Sequence, residues 1–99
     1  MDSQPYLPES AATLLQYADA HPGTDETLVL LEIITAGTHP DFVMSLASAR
    51  LLPLELRATV AEFVRYALID GLAQEQQHFL FSWAQRKMMD GPGQAHRVG

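Results

Sequence analysis

Ninety-nine residues, 47% apolar and 18% charged, suffice for one domain with a modest core and are too apolar for a disordered acidic chain. Twelve acidic against six basic side chains give a net charge of −6, which repels phosphate backbones and anionic lipid, so neither nucleic acid nor a membrane surface is an expected ligand. The absence of cysteine removes disulfides, thiolate metal sites and a cysteine nucleophile, and fits a reducing compartment.

Residues 1–7 contain Pro5 and read as an extended lead-in; they lack the basic and apolar blocks of a secretory leader, so the expected location is cytoplasmic. Pro8 suits the first position of a helix and Glu9 its first turn. The spacing of Leu7, Ala11, Leu14, Leu15 and Ala18 follows one helical face until His21, Pro22 and Gly23, which predicts a first helix over about residues 8–20. Thr24 or Asp25 can cap a second helix, and Gly37 followed by His39 and Pro40 supplies a stop.

Between those signals, Leu28, Val29, Leu30, Leu31, Ile33 and Ile34 are apolar around nearly the whole circumference, so this helix must be buried on several sides. A buried strand is the competing assignment, disfavoured because the caps fit a helix and no second strand offers to pair with it. The run is also far short of the roughly 20 residues that span a bilayer. A third helix is predicted from Pro40 to about Leu51, with Phe42, Val43, Leu46 and Ala49 or Arg50 on one face.

Pro53 restarts the chain, and no second proline follows before Met88. A continuous helix over residues 53–88 would be roughly 54 Å long at ~1.5 Å per residue, too long for a domain whose radius of gyration should be near ~13 Å. Either Gly71 interrupts it or another chain covers it. Leu56, Val60, Phe63, Val64, Ala67, Leu68, Gly71 and Leu72 form a broad helical stripe, Gln74, Glu75, Gln76, Gln77 and His78 break it, and Phe79, Leu80, Phe81 and Trp83 resume it. Asp90, Gly91, Pro92 and Gly93 end regular structure, leaving residues 94–99 as a disordered tail behind a single domain of residues 1–93.

Few residue patterns here carry chemistry. Glu75 and His78, three apart on a helix, resemble the Glu-x-x-His element of ferritin-like di-iron carboxylate bundles, and the resemblance implies a di-metal site in a dimer with Glu32 or Glu62 as bridging carboxylates. Residues 74–78 read instead as solvated on every side, so neither a metal nor any other cofactor is expected. Ser45, Ser48 and Ser82 lie at helical positions without a nucleophile elbow, there is no phosphate loop or dinucleotide fingerprint, and no enzyme is expected. The six cations are scattered and only Arg86 and Lys87 adjoin, which gives no nucleic-acid footprint.

What remains is apolar surface. The expected fold is all-α, a small bundle of four to five helices with a long C-terminal helix that Gly71 can kink, assembled as a homodimer. Leu28, Leu31, Ile34, Leu56, Val60, Phe63 and Val64 are the expected dimer interface. Phe79, Leu80, Phe81, Trp83 and Met88 are the expected partner-binding block, because aromatic residues and methionine are enriched in interface cores. The expected function is a non-enzymatic interaction module, a small acidic regulatory protein that binds and inhibits or sequesters another protein, for example an anti-activator of a transcription factor. A structural or assembly subunit, or a chaperone, is the alternative use of the same surface.

Overall fold

Pro8 sits in extended backbone and opens α1, Glu9–Ala20, which buries Ala11, Leu14, Leu15 and Ala18 along one face. The computed structural model describes residues 5–89, so the expected tail and its preceding stop lie outside the described residues. Tyr17 ends α1 by accepting the His21 backbone N–H at 3.0 Å while its ring stacks on the His21 imidazole. Thr24 then caps α2, Asp25–Thr38, its Oγ1 accepting the Thr27 N–H at 3.2 Å. Asp25 and Glu26 add negative charge at the positive end of that helix.

α2 is the central element, packed on α5 most extensively and also on α1, α3 and α4. Its near-complete apolar circumference requires this, and Leu30, Leu31, Ile33 and Ile34 are all buried. Thr35 and Thr38 are buried with them, each donating its hydroxyl to a carbonyl of the preceding turn, Glu32 O and Ile34 O, both at 2.9 Å. The helix stops within the expected signal, Thr38 being its last residue and His39 its cap. Gly37 also serves packing, because a Cβ there would lie 2.9 Å from Cε2 of Phe63, a fully buried ring on α4.

The predicted third helix is much shorter than its pattern suggested. Residues 42–45 are not helical, and α3 spans only Leu46–Ala49, capped by the Ser45 hydroxyl, which accepts the Ser48 N–H at 3.1 Å. The preceding segment is held by side chains. Asp41 donates its N–H to Nδ1 of His39 at 3.1 Å, and Phe42 meets His39 and Phe81 edge-on, each at 5.3 Å between ring centres.

Residues 53–88 do not form one helix. α4, Leu54–Arg65, runs into a π-helical turn, Tyr66–Asp70, closed by the Gly71 N–H on Tyr66 O at 2.8 Å. Gly71 has φ +80°, a conformation that glycine adopts without a Cβ penalty, and the next helix, α5, is Gln74–Met89. The chain has a radius of gyration of 13.3 Å and a longest extent of 44 Å, which a continuous helix of roughly 54 Å would overrun.

The polar run at residues 74–78 opens α5, and of its five side chains four are exposed as expected and only Gln76 is not. Gln76 is buried, accepts the Ala73 N–H through Oε1 at 2.7 Å and donates through Nε2 to Tyr6 O at 2.7 Å. The first contact is half of a capping box, with the third helical residue reaching back to the cap. The second ties the lead-in to α5. Five α-helices and no strand are present among the described residues, α1 lying against α4 and α2 against α5. No helix among them is long and apolar enough to cross a membrane.

Candidate partner-binding groove

The two apolar surfaces expected from the sequence are largely spent inside the chain. Leu31, Ile34, Leu56, Val60 and Phe63 are buried in its own core, so their assignment to a dimer interface is corrected: α5 lies over α2 and α1 over α4. Of that set, Leu28 is exposed and Val64 half-exposed. Leu80 is fully buried and cannot reach a partner. Phe79 and Trp83 are half-buried against the same core, and Phe81 is half-buried beside His39 and Phe42.

Each of these aromatics has an intramolecular neighbour. Phe81 stacks on His39 at 4.9 Å, and Phe79 and Trp83 border a small recess with Leu7, Leu15 and Asp19. Lys87 lies 5.6 Å from the Trp83 ring centre and pairs with Asp19, bracing α5 on α1. Met88 stays exposed, at the end of α5. Glu75 and His78 are both exposed on its first turns, and no group of three or more histidine, aspartate or glutamate side chains is placed to hold a metal among the described residues.

The open apolar surface lies elsewhere, between the segment leading into α3 and the outward side of α4. A groove of about 540 Å³ is lined by Met44, Leu46, Ala49, Val60, Ala61 and Val64, with Arg50, Arg57 and Arg65 at its edges. A second recess of about 350 Å³ adjoins it through Met44 and Val64 and extends the apolar lining to Phe42, Val43, Ala67 and Leu68. Val43, Leu46, Leu54 and Leu68 are each exposed by 70% or more. Contiguous apolar surface of this kind marks an interaction site far more often than single exposed leucines do.

Local sequence explains both walls. On α4 the core takes Leu56, Val60 and Phe63, and the neighbouring Leu54, Arg57 and Ala61 are left facing out beside half-buried Val64, with exposed Leu68 following in the π-helical turn. Opposite, Phe42 meets Phe81 edge-on, and the non-helical residues 42–45 form a wall carrying Val43 and Met44. The sequence pattern held a signal for this site, since the apolar stripe of α4 is wider than one packed face requires.

The chain matches no known protein family, no curated protein and no solved structure. Its function is therefore argued from this surface alone. A further cleft of about 530 Å³ lies between the start of α1 and α4, lined by Glu9, Thr13, Thr59, Glu62, Arg65 and Asp70 among others. Its one cation is paired, Arg65 Nε to Glu62 Oε1 at 3.5 Å. The lining of the groove, by contrast, is apolar apart from its three arginines.

Proposed function

We propose that this chain is a non-catalytic protein–protein interaction module, a small acidic regulatory protein acting in the cytoplasm that binds and sequesters another protein, as an anti-activator does a transcription factor. The observation that carries the reading is the continuous apolar groove over Met44, Leu46, Ala61, Val64 and Leu68, left uncovered while Leu14, Leu30, Ile33, Ile34, Phe63 and Leu80 fill the core. Methionine and arginine are favoured at interface cores, and both border this groove. Lining it costs the fold exposed apolar area that a stable core would otherwise bury, at about 25 cal/mol per Å². A covering partner recovers that term.

The test is a comparative capture with immobilised chain and the variants Leu46→Asp and Val64→Asp, each first confirmed to keep wild-type helicity. A protein enriched by the wild-type chain and depleted about tenfold by both variants, then rebinding in purified form, supports the reading. Identical capture by all three chains removes it.

A further inference from the structure

The charge around the groove narrows what can fill it. We propose that its occupant is an amphipathic helix with an apolar face flanked by carboxylates, carried by the partner protein; this deepens the binding-module reading and rests on it. Twelve of the chain's residues are acidic and six basic, yet the two recesses are lined by Arg50, Arg57 and Arg65 and by no aspartate or glutamate. Arg50 and Arg57 take part in no salt bridge among the described residues, and Arg65 meets only the exposed Glu62. A basic rim on an acidic molecule selects an acidic ligand and repels most alternatives.

Shape points to a helix. The outward stripe of α4 advances Leu54, Arg57, Ala61, Val64, the three-four alternation that seats a second helix along a seam, and Leu68 follows in the π-helical turn. Ala61, small and exposed near its middle, lets a partner backbone come close. From Leu54 to Val64 the stripe rises about 15 Å, and Leu68 carries it roughly one turn further, so about four turns of helix would cover it. A small apolar molecule filling the groove would leave Leu54, 71% exposed and outside its lining, still in water.

A second copy of this chain docking by the same face is disfavoured by the same arginines. Antiparallel crossing at Ala61 sets Arg57 and Arg65 of the two copies against each other, and parallel crossing sets each arginine against itself. Like charges held opposite one another are destabilising.

The experiment uses the full chain and stapled helical peptides of about 16 residues, leucine on the apolar face and glutamate, glutamine or lysine on its flanks, followed by fluorescence anisotropy. The glutamate peptide should bind at least about tenfold more tightly than the glutamine one, an advantage that shrinks as salt rises from about 50 to 500 mM. Arg50→Glu with Arg57→Glu should shift the preference to the lysine peptide, and Leu68→Asp should weaken all three.

Equal affinity for the glutamate and glutamine peptides, with Val64→Asp still abolishing both, overturns the acidic occupant and leaves the binding module standing. Binding of none, or binding indifferent to Val64→Asp and Leu68→Asp, overturns the helix-in-groove proposal. So does a dimer seen by sedimentation that Val64→Asp dissociates, since a second copy then fills the groove.

Discussion

Gly37→Ala is expected to destabilise the protein although it replaces glycine by the best helix former inside a helix. In isolation the change would favour α2 by up to ~1 kcal/mol, somewhat less here because Gly37 is one residue from its end. Against this, the new Cβ would sit 2.9 Å from Cε2 and 3.2 Å from Cζ of Phe63. The ring is fully buried, so it cannot swing into solvent, and either the ring turns off its rotamer or α2 and α4 move apart. Overpacking of this kind costs ~1–3 kcal/mol.

The net expectation is a loss of about 0.5–2 kcal/mol, which for a domain near 100 residues lowers Tm by roughly 3–12 °C. Urea unfolding followed by circular dichroism measures it, with Phe63→Leu and the double variant completing a cycle. Leucine lacks the ring atoms that clash, so in the double variant the alanine should cost about 1 kcal/mol less than in the wild-type background. If Gly37→Ala proves neutral or stabilising and the two changes add without coupling, the packing account of Gly37 is wrong.

Two further outcomes test other parts of the fold. Gln76→Ala removes the acceptor for Ala73 N–H and the donor to Tyr6 O, so equilibrium unfolding should show a loss of about 1–3 kcal/mol, and Gln76→Glu, which keeps only the first contact, an intermediate one. A loss under about 0.3 kcal/mol for the alanine variant would mean that water replaces both bonds. Phe81→Ala deletes the ring pairs with His39 and Phe42, each worth ~0.5–1.5 kcal/mol; amide exchange at Val43 and Met44 should accelerate about tenfold relative to α4, and an equal change in both regions would separate the groove wall from this anchor.

The all-helical character of the chain was legible from its sequence because the signals are local. Thr24 and Pro53 mark helix starts, His21 to Gly23 a stop, and Gly71 a break, and each acts through its own backbone geometry or a hydrogen bond three or four residues away. Periodicity likewise marks which segments are amphipathic. None of these signals needs the rest of the molecule, so they survive translation into structure with errors of a residue or two, as at α1 and α2.

Only the tertiary structure decided what covers each apolar face, because burial depends on partners distant in sequence. Leu31 and Phe63 read as surface for a second copy until α5 is seen over α2 and α1 over α4, and Phe81 as a partner contact until His39 and Phe42 meet it. Gln76 looked solvated because its acceptor, Tyr6 O, lies 70 residues away. Gly37 read only as part of a stop because nothing nearby reveals the Phe63 ring against its backbone. The groove is what that allocation leaves open beside α4, whose apolar stripe is wider than its neighbours cover.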